Sequence, residues 1–365
     1  MNLLIIAPYH VSGTLDLWQR ELRRRGHECR YVTLFRNRWG FSEDISLDLP
    51  LMPRAGSALI PFRRLLHRIA RGPLADDTPI TERPPLWKSP GLLASSFFTL
   101  RDMIIAPRVL NAIQKNRLDG FDIIWLDQGG GFFRDARVIR RWAGMGKHLM
   151  AFYHGSDMRN RGIYPQVDRH LELRLTSEVD LLELDPRLRY LFLPVDTSAL
   201  TPDHRTPVGD GVIRIAHAAR VRAFKGTDRI IEVVERLRIR HRVELVLIEN
   251  VSHIEALAMK RRCDIAVDQI ADTGGWGYGM SSVEYLSLGI PTCTSMNPEM
   301  QAFLPGHPFV AVSADTLETE LERLITDEEH RQTTGKRGRE WVVQNHDIRQ
   351  VADRLWKYFE ELEWV

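Results

Sequence analysis

A glycine-rich loop that runs directly into a helix is the strongest constraint in this chain. Residues 274–291 read Gly-Gly-Trp-Gly-Tyr-Gly-Met-Ser-Ser-Val-Glu-Tyr-Leu-Ser-Leu-Gly-Ile-Pro. Glycines permit backbone turns that other residues resist. The N–H groups at the start of the helix lack intrahelical acceptors, and with the helix dipole they form a ready anion site. Glu284 lies about one turn into the helix, where a carboxylate can accept hydrogen bonds from a sugar diol. The pattern predicts a pocket for a phosphorylated sugar compound. The plainer reading is a tight loop capping an ordinary core helix.

A second stretch adds to the first. Residues 213–226 read Ile-Arg-Ile-Ala-His-Ala-Ala-Arg-Val-Arg-Ala-Phe-Lys-Gly. The first half alternates as a strand does, and residues 227–237 follow with helical spacing of Ile230, Ile231, Val233, Val234 and Leu237. Arg220 and Lys225 then fall at the strand's C-terminal end and in the loop after it, the edge where open α/β sheets bind ligands. Arg grips phosphate through a planar fork, and Lys adds a compact charge. Two solvated surface cations are the ordinary alternative.

At these residues the chain resembles GT-B glycosyltransferases of family 4 (glycosyl transferases group 1). Arg220, four intervening residues, Lys225-Gly226 and the later Gly-Tyr-Gly…Glu284…Gly289-Ile-Pro291 carry the resemblance. It implies an α/β fold of two Rossmann-like doubly wound domains facing a central cleft. It assigns the donor diphosphate to Arg220, Lys225 and the loop Gly279-Met280-Ser281-Ser282, and the donor ribose to Glu284. The family pattern has a glutamate eight positions before the helix glutamate, where this chain has Trp276. Trp276, Gly277 and Tyr278 are then the candidates beside the donor sugar, with Asp268, Gln269 and Asp272 as nearby polar substitutes. His217-Ala218, Lys225-Gly226-Thr227 and Asp268-Gln269 resemble one branch of family 4-like sequences, in which Trp276 would be a branch feature.

Size and charge exclude other classes. A chain of 365 residues suits about two domains. Its net charge of +2 does not argue for a nucleic-acid partner, and none is expected. Residues 1–72 nevertheless carry 12 Arg against 6 Asp plus Glu, a surplus of +6. Cys29, Cys263 and Cys293 are far apart and odd in number, which points to a reducing, cytoplasmic setting. The short apolar start is not a secretory signal, and no stretch reaches membrane-span length.

Short apolar strands alternate with loops and helical stretches. Expected strands are Leu3–Ala7, Arg30–Leu34, Ile123–Leu126, His148–Tyr153 and Tyr190–Leu193, then Glu244–Ile248, Ile265–Val267, Thr292–Thr294 and Phe309–Val312. Residues 1–193 read as the acceptor-side domain, 194–211 as a linker rich in Pro, Asp, Thr and Gly, and 212–345 as the donor domain. Residues 36–92 read as an irregular insertion. Residues 341–362 read as a long amphipathic helical region, and the resemblance implies that 346–365 crosses back to the first domain.

Residues 153–159, Tyr-His-Gly-Ser-Asp-Met-Arg, follow a predicted strand. His154 can donate hydrogen bonds or shuttle a proton near neutral pH. Relatives carry His-Gly or His-Asp here, so the resemblance gives His154 a role beside donor sugar or phosphate. Asp157 joins it as a catalytic candidate, although it suits a helix cap better than a base. Gly13 and Gly130 sit in loops after strands and can shape the acceptor side, or simply turn the chain. Residues 59–71 have the spacing of a basic amphipathic helix, suited either to an anionic membrane surface or to core packing. The membrane version would place the protein peripherally at the inner membrane surface.

No cofactor is expected, no metal spacing is present, and the chain lacks the Asp-x-Asp of metal-dependent transferases. With the resemblance, which implies retention of configuration, the reading is a metal-independent, retaining glycosyltransferase with a nucleoside-diphosphate sugar donor and a glycan, lipid-linked or small-molecule acceptor. A non-catalytic nucleotide-sugar binding or scaffold protein and a GT-B nucleotide-sugar epimerase are the alternatives.

Overall fold

Leu3–Ala7 is an unbroken apolar run, and all five residues are buried. Such runs suit parallel strands covered on both faces. In the computed structural model of the chain this run is β1. The structure describes residues 1–10, 12–36, 40–52, 84–88, 91–155, 157–206, 208–270 and 275–365. The predicted helix at 59–71 lies outside them, as do most of the predicted insertion, Ser156 and Asp272.

The chain divides into two compact units. Met1–Leu191 with Tyr358–Val365 form the first, and Phe192–Lys357 the second. The first contains β1 (Leu3–Ala7), β2 (Cys29–Thr33), β3 (Ile45–Ser46), β4 (Ile123–Asp127), β5 (His148–Tyr153), β6 (Leu173–Thr176) and β7 (Leu188–Tyr190). They form one sheet in the order β3-β2-β1-β4-β5-β6-β7, and every pairing is parallel. The order reverses between β1 and β4. A crevice opens at such a switch point, outside the carboxyl ends of the two strands.

The second unit contains β8 (Ile213–Ala218), β9 (Val243–Ile248), β10 (Ile265–Val267), β11 (Thr292–Thr294) and β12 (Val310–Ala311), again all parallel, in the order β12-β11-β10-β8-β9. Its switch point lies between β8 and β10. Alternation along the strands splits the core in two. Ile215, Ile265 and Val267 pack with Ile230, Val234 and Leu237 of the helix Thr227–Arg238. Ala216 and Ala266 pack with Tyr285, Leu288 and Ile290, beneath the helix Met280–Ser287. Helices on both sheet faces make the unit doubly wound.

Several boundaries differ from the sequence expectation. The strand expected at 190–193 is at Leu188–Tyr190, because the ring of Phe192 belongs to the second unit, against Trp341 and His346. The region expected as one helical stretch over 341–362 is two helices, Glu328–Asn345 and Ile348–Glu361. They break at His346-Asp347, where the buried His346 ring donates from Nδ1 to the Leu193 carbonyl at 2.7 Å. Of the chain after this break, Tyr358–Val365 belong to the first unit. Tyr358 donates to the Tyr190 carbonyl at 2.8 Å, and the Trp364 ring stacks on His148 with centroids 4.7 Å apart. The described residues of 194–211 belong to the second unit, where Arg339 donates to the carbonyls of Thr197 and Leu200 at 2.7 and 2.6 Å.

Candidate functional site

At the switch point of the second unit, Asp268 ends β10 with its side chain fully buried. One carboxylate oxygen accepts from Lys225 Nζ at 2.7 Å. The other accepts from the Gly279 amide at 3.1 Å and from Ser282 Oγ at 2.6 Å. One carboxylate thus ties the loop after β8 to the start of the helix Met280–Ser287. Burial alone would raise its pKa, but the Lys225 charge and the hydrogen bonds from Lys225, Ser282 and Gly279 hold it below the usual carboxylate range. Gln269 braces the same corner, accepting from Lys225 at 3.2 Å and donating to the Gly275 carbonyl at 2.9 Å. Gly226 closes the turn at φ 69°, where a Cβ would lie 2.5 Å from Ile270. Arg220 is exposed just beyond β8.

Beneath that corner His217 is buried and neutral. Its Nδ1 donates to the Val267 carbonyl at 2.8 Å, so its Nε2 accepts from the Thr227 hydroxyl at 2.8 Å. Desolvation keeps its pKa below the ordinary histidine value. His217 thus fastens β8 to β10 and to the helix that follows Lys225.

Glu284 is 7% exposed, and both its oxygens are engaged. One accepts from His253 Nε2 at 2.7 Å; the other pairs with Lys260, whose side chain is only 2% exposed. Burial would raise the Glu284 pKa, but the Lys260 charge and the His253 hydrogen bond hold it down at about 2. Lys260 also donates to Ser281 Oγ at 3.2 Å. Any sugar diol at Glu284 therefore has to use the remaining lone pairs of a carboxylate that is already fixed in place.

Of the loop amides assigned to phosphate, that of Gly279 goes to Asp268 and that of Ser282 turns back to the Gly279 carbonyl at 3.0 Å. The amides of Met280 and Ser281 complete the helix start. Trp276 is half-buried. The Gly277 carbonyl accepts from Thr294 Oγ1 at 2.7 Å. Tyr278 sits among Phe309, Trp341 and His346 and donates its hydroxyl to His346 Nε2 at 2.9 Å. This anchors the loop to the helices near the C-terminus.

In the first unit the β4–β5 register sets Asp127 beside Phe152. That pairing brings the Asp127 carboxylate within 2.8 Å of His154 Nε2. Burial would lower the His154 pKa, but the Asp127 charge and hydrogen bond raise it to about 9. That shift favours the imidazolium form, in which Nε2 donates to Asp127 and Nδ1 is a second donor. Asp157 accepts from the backbone amides of His154 at 3.0 Å and Met158 at 2.8 Å, so it caps this turn; burial pushes its pKa up.

A cavity of about 370 Å³ opens at the β1/β4 switch point of the same unit. Pro8 and Tyr9 after β1, and Gln128, Gly130 and Gly131 after β4, line it. Gly129 holds the second loop at φ 63°, where a Cβ would lie 2.3 Å from the Tyr153 ring. Gly13 has a different place, at the start of the helix Thr14–Arg24.

Sequence reasoning named Asp268 only as a polar substitute and missed Lys260, His253 and the role of Asp127. Asp127 is 27 residues from His154, and only strand register brings them together. Nothing local sets Lys260 apart; its pairing with Glu284 joins residues 24 apart in the chain.

Residues 227–357 match a family model described as glycosyl transferase-like. A search of curated proteins gave no match. Among solved structures, sucrose-phosphate synthase from Thermosynechococcus elongatus aligns with a TM-score of 0.60 at 14% identity, over 99% of this chain and 99% of that one. Anabaena HepE in complex with UDP and glucose aligns with a TM-score of 0.56 at 12% identity, over 98% and 99%. The glycosyltransferase SnogD from Streptomyces nogalater aligns with a TM-score of 0.51 at 16% identity, over 98% and 98%. The chain thus has the α/β fold of GT-B glycosyltransferases, and most of its second unit carries a glycosyl transferase-like sequence.

Proposed function

We propose that the protein transfers a sugar from a nucleoside-diphosphate sugar to an acceptor hydroxyl, without a metal and with retention of configuration. The observation that carries this reading is the corner built on Asp268. It sets a lysine, a helix N-terminus and a fixed glutamate at one switch point, within and beside the glycosyl transferase-like stretch. In this reading the leaving diphosphate lies at the helix start. Arg220, Lys225 and the amides of Met280 and Ser281 stabilise the charge that develops on it. Glu284 accepts from the ribose hydroxyls, held in place by Lys260 and His253. Trp276 and the backbone of Gly277 border the sugar.

His154 enters as an imidazolium that offers an N–H to a substrate oxygen. A ring whose pKa is raised by Asp127 is suited to donate and orient rather than to act as a general base. This fits a retaining reaction that needs no side-chain base on the acceptor. Asp157 supports the His154 turn.

The test incubates the protein with UDP-, GDP-, ADP- and CMP-linked sugars and an acceptor mixture, and reads nucleotide release. Acceptor-dependent release supports transfer. An isomerised donor without release would identify an epimerase, and binding without either would identify a scaffold.

Peripheral membrane contact is part of the proposal. No helix among the described residues is long and apolar enough to cross a membrane. The helix Leu92–Lys115, however, exposes Leu100, Met103, Ile104 and Leu110. Flotation with anionic liposomes is the expected outcome, and absence of binding at low salt would remove this element.

A further inference from the structure

We infer that the cavity of the first unit receives an acidic molecule with an apolar body: a carboxylate or phosphate on an aromatic or isoprenoid frame. Its role as the acceptor rests on the glycosyltransferase reading above; its chemistry rests on the lining. The cavity lies at a sheet switch point, the place where open α/β sheets bind ligands, and its volume of about 370 Å³ is that of a small-molecule site.

Its walls are aromatic, with Phe97, Phe98, Phe132 and Phe133 among them. Among the described residues its charged lining is three arginines, Arg101, Arg134 and Arg161. Behind this lining, Asp102 pairs with Arg101 at 2.5 Å and accepts the Arg134 amide at 3.0 Å. The arginines are also held by their faces. The Arg134 guanidinium carbon is 3.4 Å from the centre of the Phe98 ring, and that of Arg161 is 4.5 Å from the centre of the Tyr164 ring. A guanidinium stacked in this way presents its N–H groups edge-on, the geometry that grips carboxylate and phosphate. A neutral glycan would call for side-chain acceptors for its hydroxyls, and among the described lining side chains Gln128 is the amide present.

The test is calorimetric titration of the full chain with geranyl phosphate and 4-hydroxycinnamate, each against its neutral alcohol, geraniol and 4-hydroxycinnamyl alcohol. At least one acid should bind about tenfold or more tightly than its alcohol, as expected for a charged hydrogen bond, and should weaken with added salt. The better acid identifies the isoprenoid or the aromatic source. R134Q should bring acid binding down to the level of the alcohol. G130F, which points a ring into the cavity towards Tyr164, should abolish both. The salt series needs no variant and stands even if R134Q does not fold.

Alcohols that bind as tightly as the acids would overturn the proposal, as would acid binding unchanged in folded R134Q or G130F. Failure of both acids to bind at millimolar concentration, while nucleoside diphosphates still bind, would sink the cavity proposal alone. The reverse result, with acids bound and nucleotides not, would support the cavity and sink the glycosyltransferase reading.

Discussion

Lys260→Met should be among the most damaging single substitutions in the second unit. Lys260 and Glu284 are 2% and 7% exposed, and they pair directly. Removing one partner of a buried ion pair costs about 3–5 kcal/mol, because the other charge stays buried without it. His253 still donates to Glu284 at 2.7 Å and is itself 30% exposed, so the loss should fall near the lower end, about 3 kcal/mol. The double variant Lys260→Met with Glu284→Met replaces both charges by apolar groups and should regain most of that loss. Urea unfolding at pH 7 reads the effect as a fall in midpoint at constant slope, followed by recovery. The pH dependence adds a second check. Glu284 is held down at about 2, so its contribution is present above about pH 4.5 and is lost as pH falls through about 2. In Lys260→Met that acid window should shrink. A loss below about 1 kcal/mol, or a double variant weaker than the single, would refute the reasoning.

Arg220 is exposed, so Arg220→Ala should leave stability nearly unchanged while weakening nucleoside-diphosphate binding by about 1–3 kcal/mol, read by titration. Lys225→Ala is the less clean variant, since it also strips the buried Asp268 of its cation. His346 is buried and neutral, its pKa lowered to about 3 by desolvation. The unfolded chain takes up that proton below about pH 6.5 and the folded chain does not. Stability should therefore fall between pH 7 and pH 5, at up to about 1.4 kcal/mol per pH unit. Urea midpoints across that range should show the slope, and His346→Asn should flatten it.

The parts of this fold that were legible in the sequence are those written in local pattern. The unbroken run Leu3–Ala7 and the alternation after Ile213 announced parallel strands, because side-chain period and burial are local properties. Leu173–Thr176 was missed although it alternates. Its Arg174 reads as solvent-facing until Asp168 is seen to pair with it at 2.7 Å, which lets it be buried. The glycine loop and Lys225, singled out in the sequence, meet at one corner of the second unit through Asp268. The sequence could not show that Asp268 occupies the Gly279 amide or that Glu284 is bound by Lys260 and His253. Those contacts join residues from different strands and helices, and nothing local encodes them. The Asp127–His154 pair is hidden for the same reason. The cationic, aromatic cavity is assembled from loops after β1 and β4 and from the helix Leu92–Lys115, none of which is distinctive alone.

The most direct test of the central claim is thermal melting of the full chain with UDP, GDP, ADP, CMP and their sugar conjugates. A ligand that binds only the folded state stabilises it by an amount set by its concentration over its dissociation constant, about 2.7 kcal/mol at a hundredfold excess. The account predicts a clear rise in melting temperature with one nucleoside diphosphate and its sugar conjugate, reduced in Arg220→Ala. No rise with any of these nucleotides at millimolar concentration would contradict it.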